Sequence, residues 1–358
     1  MPSSHRYALI MAGGRGTRFW PRSRKRNAKQ VLRFFGERSL IQQTVDRLKP
    51  VVPPDHIWVI TNEFLQQEIR KQLPDVPKAQ ILAEPAQRNT APCIGLAATI
   101  LSALDPDAVM GVFPADHLIQ KEARFHSFVK SAYKAAETSD VVVLGIQPQW
   151  AETGYGYIEF PAGAKPGELN PQAVKSFREK PDASAAQRFV AAGNFYWNAG
   201  MFFWRAETVL NLMRHHMPKT ATLLAGLPPF RNRSFAGKLA GVYPRTENIS
   251  VDYGIMEKAE RVAGLTVDDI GWNDVGSWEA VYTLARKDVN SNASRGDLIV
   301  EDSSGNYIDA AKTVALVGVE NLVVVDTPDA LLIVDRRRAQ DVGKLVKTLE
   351  AKKREELL

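Results

Sequence analysis

Tyr7-Ala8-Leu9-Ile10-Met11-Ala12-Gly13-Gly14-Arg15-Gly16-Thr17-Arg18-Phe19-Trp20-Pro21 is a short apolar run that breaks into a basic, glycine-rich loop. The run is far shorter than the roughly 18 apolar residues a membrane span needs. It also has no small-residue cleavage site behind it, so it reads as a buried strand rather than a leader. Similar runs return at 57–60, 80–83, 109–113 and 141–146, while 40–48, 64–73, 92–104 and 125–138 carry helical periodicity. Strand and helix in strict alternation predict an α/β fold, a mostly parallel sheet with helices on both faces. Ligands of such sheets gather beyond the carboxyl ends of the strands, which directs attention to the loops there.

Further along, the alternation loosens. Segments 155–160, 173–179 and 200–204 read as strands and 184–192 and 251–261 as helices, an elaboration that closes one side of a cleft. After Arg295, apolar runs at 298–300, 307–308, 314–317, 322–325 and 331–334 recur with Gly, Asn, Asp or Pro between them. Short, evenly spaced strands without helices predict a small β-helix or meander. A final helix follows, with Val342, Leu345, Val346 and Leu349 on one face and basic residues on the other. The length predicts about two domains at roughly 150 residues each as a soft guide, and the expected division is 1–290 and 291–358.

A hydrophobic content of 45% and a charged content of 24% are ordinary for a soluble globular chain. A cytoplasmic location is expected. The single cysteine, Cys93, excludes an internal disulfide and a cysteine-rich zinc site, and reads as a small buried hydrophobe. Basic residues exceed acidic ones by 46 to 40, for a formal charge of +6, and they gather at 15–33 and 336–354. The first gathering suits a polyphosphate ligand at least as well as a nucleic-acid backbone. Neither nucleic acid nor membrane is expected as a partner; a homodimer is left open.

Three glycines in 13–16 let the backbone bend and aim several N–H groups at one anion. Arg15, Arg18, Lys25, Arg26 and Lys29 add positive charge. Taken alone, such a loop is more often an ordinary bend beside a solvated basic face. Two familiar phosphate loops do not fit. The P-loop ends Gly-Lys-Ser/Thr, and the dinucleotide fingerprint, hence a dehydrogenase, requires glycine where Phe19 stands.

Residues 12–30 resemble the signature of the nucleotidyltransferases that make nucleotide-sugars, Gly-Gly-x-Gly-Thr-Arg followed by Pro and then Lys. Phe19-Trp20-Pro21-Arg22-Ser23 is similar to the mannose-1-phosphate guanylyltransferase branch. One departure stands out: the family's Pro-Lys-Gln is Ala28-Lys29-Gln30 here. Loss of that rigid spacer is expected to loosen the lysine's approach. Six further blocks match in order. Residues 84–92 resemble a guanine-recognition loop and 113–117 a metal-binding strand end. Segments 154–158, 177–181 and 198–202 resemble a sugar-phosphate site, and 272–278 resembles the segment with a second metal ligand.

The resemblance implies a Rossmann-like nucleotidyltransferase fold and transfer of GMP from GTP to mannose 1-phosphate, with pyrophosphate released and Mg²⁺ required. It assigns catalysis to Arg18, Lys29, Asp116 and Asp274, the two aspartates holding Mg²⁺. It assigns the nucleotide to Gly13, Gly14, Arg15, Gly16, Thr17, Glu84, Pro85, Asn89 and Thr90. The sugar phosphate falls to Gly154, Tyr155, Glu179, Lys180 and Asn198. An attacking phosphate is already anionic, so no general base is needed, and His117 is expected to be structural. Plainer readings stand beside these: a turn-forming Asp116, Asp274 as a helix N-cap, and Glu179–Lys180 as a surface ion pair. Two other functions stay open, a pyrophosphorylase for another sugar or base and a non-catalytic nucleotide-sugar binder. The isomerase domain of some bacterial relatives is not expected here.

Overall fold

The computed structural model describes residues 5–139 and 141–358. Its main sheet is built from β1 (Arg6–Ala12), β2 (Ile57–Asn62), β3 (Ile81–Glu84), β4 (Val109–Pro114), β5 (Val141–Ile146), β6 (Tyr157–Glu159), β7 (Gln172–Ala173), β8 (Ser176–Arg178), β9 (Phe195–Arg205) and β10 (Val262–Val267). The strand order is β3-β2-β1-β4-β9-β5-β10-β7, with β6 pairing β8 and β9. The alternating segments give the parallel part, β1 lying between β2 and β4 in matching direction. β9 breaks the pattern inside the sheet, running antiparallel to both β4 and β5, and β7 pairs antiparallel with β10 at the edge.

Helices α1 (Leu40–Leu48), α2 (Glu63–Gln72), α3 (Thr90–Leu104), α4 (Glu122–Ala136), α5 (Ala183–Ala192), α6 (Ala206–His216), α7 (Pro218–Ala225) and α8 (Phe235–Val242) complete this part. Successive residues of a strand point to opposite faces, and β1 shows the result. Ala8, Ile10 and Ala12 join a core with Val45 of α1, Ile69 of α2 and Phe128 of α4. Leu9 joins a second core with Ile94 of α3, Met213 of α6 and Leu239 of α8. The sheet is therefore covered on both sides, as its unbroken apolar runs require.

Three elements differ from their sequence reading. Segment 173–179 is two strands, because the chain leaves β10 after Ala173 and joins β6 from Ser176. Segment 200–204 belongs to the longer β9. The helix expected over 251–261 is a single wide turn, Asp252–Met256, in which Glu257 N–H bonds Asp252 O. Single π-turns of this kind are frequent at functional sites.

Helix α9 (Trp278–Leu284) leads to β11 (Ala293–Ser294), β12 (Leu298–Glu301), β13 (Tyr307–Asp309), β14 (Val314–Val317), β15 (Leu322–Thr327), β16 (Ala330–Asp335) and α10 (Val342–Ala351). β11, β13 and β15 form one parallel ladder and β12 and β14 another, the stacked faces of a β-helix. Buried Asn292 and Asn306 stack between its turns: Asn306 donates twice to Asn292 Oδ1 and accepts from Leu322 N–H. This part shares a core with the first. Phe19 and Trp20 pack with Val275, Trp278, Tyr307, Val342 and Val346. Trp20 Nε1 donates to Leu357 O at 2.9 Å, and Arg22 makes a two-pronged ion pair with buried Asp309. Among the described residues no helix is long and apolar enough to cross a membrane.

Candidate active site

A cleft of about 810 Å³ opens where β1 and β4 end side by side. Strand order reverses at this pair, and crevices at such points are the usual ligand sites of open α/β sheets. The walls bring together Gly13, Gly14 and Arg15, Glu84, Asn89 and Thr90, Asp116, Gly154 and Tyr155, Glu179, Asn198, and Asp274. The other assigned residues, Gly16, Thr17, Arg18, Lys29, Pro85 and Lys180, lie outside the wall.

The loop is held from below. Gly16 has φ +61°, and a Cβ there would stand 2.4 Å from Lys29 Cβ, so only glycine fits. Buried Gln30 donates from Nε2 to Ala12 O at 2.6 Å and Gly14 O at 3.1 Å, pinning both sides of the bend. Lys29 lies beneath the loop at 6% exposure. Its ammonium donates to Asp116 Oδ2 at 2.8 Å and to the Asp274 carbonyl at 2.5 Å. Burial is the largest influence on Asp116 and opposes its charge, but the Lys29 ammonium, His117 and a backbone N–H together hold the carboxyl below its ordinary range. Ala28 has φ −74°, a value a proline ring would impose, and it is buried at 1%.

Asp274 is no helix cap. Ser277 occupies the cap position of α9, and the Asp274 carboxylate instead accepts from the Tyr155 hydroxyl at 2.8 Å. Tyr155 packs edge-on against Trp272 and Trp197. Asp116 and Asp274 each commit one oxygen to these bonds, leaving the other outside them. Two hard carboxylates beside a basic, glycine-rich loop suit a divalent cation that also takes phosphate oxygens. His117 is neutral, pushed down to about 4 by burial, and its Nδ1 accepts from Trp272 Nε1 at 3.1 Å. A separate group, His5, Asp105 and Asp107, lies at the strands' amino ends, with Asp107 already paired to Arg205.

On the α3 side, Asn89 takes φ +65° and caps the helix by accepting from Thr90 N–H. The Thr90 hydroxyl accepts from Val251 N–H at 2.8 Å, tying the helix start to the wide turn. Glu84 accepts from the buried Tyr243 hydroxyl, and burial pushes its carboxyl up to about 7. Across the cleft, a Cβ on Gly156 would lie 2.5 Å from Glu179 Oε2, so glycine there makes room for the carboxylate. Asn198 Nδ2 donates to Asp252 Oδ1 at 3.0 Å. Burial, with Glu179 nearby, raises Asp252 to about 6. Lys180 is exposed, bonded to Glu179 at 2.9 Å.

Sequence reasoning missed Asp252, Trp272 and Gln30. Trp272 and Gln30 stood inside quoted blocks, but Asp252 had no signal because only the wide turn brings it to Asn198. Helix α10 also reaches the loop: Arg15 Nη1 bonds Glu350 Oε1 at 2.6 Å, and Gly343 sits against Thr17 and Arg18. Arg18 is exposed and has no acidic partner among the described residues.

A bent glycine-rich loop, a buried lysine and two carboxylates at the switch point are the parts a nucleotidyltransferase needs, and the chain belongs to the nucleotidyl transferase family, whose model matches residues 7–291. Residues 296–349 match the MannoseP isomerase/GMP-like beta-helix domain. The chain is 39% identical over 355 residues to a mannose-1-phosphate guanylyltransferase of Klebsiella pneumoniae, covering 97% of this chain and 74% of that one. It is 40% identical over 352 residues to the xanthan biosynthesis protein XanB of Xanthomonas campestris pv. campestris (strain B100), with coverage of 97% and 74%. A crystal structure described as mannose-1-phosphate geranyltransferase from Thermus thermophilus superposes with TM-score 0.85 at 34% identity, covering 97% of this chain and all of that one.

Proposed function

We propose that this chain joins GTP to mannose 1-phosphate, giving GDP-mannose and pyrophosphate in the cytoplasm, with Mg²⁺ held by Asp116 and Asp274. The observation that carries the reading is the convergence on one nitrogen, Lys29 Nζ, of the Asp116 carboxylate and the Asp274 carbonyl below a glycine loop. The similarity to chains named for this activity supports the choice of sugar and base.

The sugar phosphate attacks the α-phosphorus in line, and the bond to the β-phosphate oxygen breaks. Its oxygen is anionic near neutral pH, so no side chain need remove a proton, and neutral His117 is left to structure. The difficulty is charge, since two polyanions must meet and more charge gathers on the departing pyrophosphate. Positioning and charge stabilisation dominate such transfers. The N–H groups of Gly13 to Gly16 would cradle the triphosphate, with Arg15, Arg18 and Lys29 balancing its charge. Glu179, Asn198 and Asp252 would take sugar hydroxyls, and the exposed Lys180 would reach the sugar phosphate. Glu84, Asn89 and Thr90 lie where the base would enter. When bound, Mg²⁺ would polarise phosphate oxygens and draw both reactants together.

A matrix of nucleoside triphosphates against sugar 1-phosphates, scored by pyrophosphate release, tests the reading. GTP with mannose 1-phosphate should be the fastest pair, and EDTA should abolish turnover. Faster turnover of UTP or dTTP with glucose 1-phosphate would overturn the substrate assignment; an EDTA-resistant rate would overturn the metal.

A further inference from the structure

Val275 is fully buried and β-branched, yet its φ is +47°. β-Branched residues avoid this region, and strain of this kind persists only where surroundings enforce it. Two observations identify the enforcement. The Asn273 side-chain oxygen accepts from Val275 N–H at 2.7 Å. The Asn273 backbone exchanges both hydrogen bonds with Leu118, at 2.9 and 3.0 Å. That bridge stands two residues after Asp116 and one before Asp274. A second tie runs parallel to it, Trp272 Nε1 to His117 Nδ1, with the two rings perpendicular at 5.4 Å.

From this we infer that Asn273 is a positioning residue that fixes the separation of the two cleft carboxylates. Its backbone locks the Asp274 segment to the Asp116 segment. Its side chain holds Val275 in the left-handed region. This reversal lets Asp274 offer its carbonyl to Lys29 while its carboxylate meets Tyr155. Relaxed into the extended or helical region, Val275 would swing the carbonyl off Lys29 and move the carboxylate with it. The inference rests on Asp116 and Asp274 being the cation's ligands.

Mn²⁺ titration, followed by electron paramagnetic resonance of the free ion, tests it on four proteins alongside thermal melting. Wild type sets the reference and Asp274→Asn tests the ligand reading itself. Asn273→Ala should weaken Mn²⁺ binding about tenfold. In Asn273→Ala/Val275→Gly, glycine enters the left-handed region without penalty, so affinity should return to within about threefold of wild type. Its melting temperature should nevertheless fall, because the buried Val275 side chain is gone. Affinity rising while stability falls is a pattern that a purely structural role cannot give. Wild-type affinity in Asn273→Ala, or a double variant weaker than Asn273→Ala, overturns the inference while leaving the ligand reading intact. Unchanged affinity in Asp274→Asn overturns both.

Discussion

The ammonium of Lys29 stands 2.8 Å from Asp116 Oδ2 and 2.5 Å from the Asp274 carbonyl, with Gly16 packed on its Cβ. One nitrogen thus links the loop to both acidic segments. Lys29→Ala should lower kcat by about a hundred- to a thousandfold, the usual scale for one preorganised stabilising group. Lys29→Arg should recover only part of this, since a planar fork does not fit the slot under Gly16. Steady-state rates with GTP and mannose 1-phosphate check both, and a loss under tenfold would sink the assignment. Glu84 gives a separate test through pH. Burial raises its folded pKa from 4.5 to about 7, so between those values the folded state holds a proton that the unfolded state has lost. Stability from this group is therefore present below about pH 4.5 and is lost as pH climbs to about 7. Glu84→Gln cannot titrate. Its stability advantage over wild type should grow between pH 5 and 8 by up to about 3 kcal/mol. Urea unfolding at three pH values measures that gap, and a gap independent of pH would refute the argument.

Helix α10 forms the back wall of the glycine-rich loop. Val342 and Val346 pack with Phe19 and Trp20, while Glu350 holds Arg15. Phe19-Trp20, which the sequence offered as a mark of one branch, does its visible work here in docking rather than in the cleft. A chain ending at Asp341 lacks this wall. It should raise KM for GTP roughly tenfold or more and lower the melting temperature. Unchanged KM would assign α10 to solubility alone. At this scale the sequence was legible wherever local rules decide. The residues of β1 alternate between two cores, and the carboxyl ends of β1 and β4 carry the glycine loop and Asp116. It was illegible where partners come from afar. The 251–261 segment has helical periodicity, but the site draws it into one wide turn, tethered through Thr90 and directed at Asn198. Ala28 was legible only in part: its φ of −74° matches a proline's, while the contact of Lys29 with Gly16 comes from a fold the local sequence does not state.

Across the whole molecule, one core joins the first and last parts of the chain. Phe19, Trp20, Val275, Trp278, Tyr307 and Val342 are in contact through it, and Trp278 Nε1 donates to Trp20 O at 3.2 Å. The β-helix is thus bound to the glycine-rich loop at the cleft, and its Asn292–Asn306 stack ties successive turns of that support together. Arg15 and Glu350 are 335 residues apart in the chain. A ribosome adding roughly 5–20 residues per second needs on the order of 20 to 70 s to travel between them. Throughout that interval the nascent protein carries its glycine-rich loop without the α10 side chains, Val342 and Val346, that pack with Phe19 and Trp20. The main sheet can form while translation continues, but the loop gains its cover only after the codons for α10 have been read. Birth therefore orders the molecule's assembly: a scaffold first, a loop lacking its last apolar neighbours for tens of seconds, and its α10 wall among the last things completed.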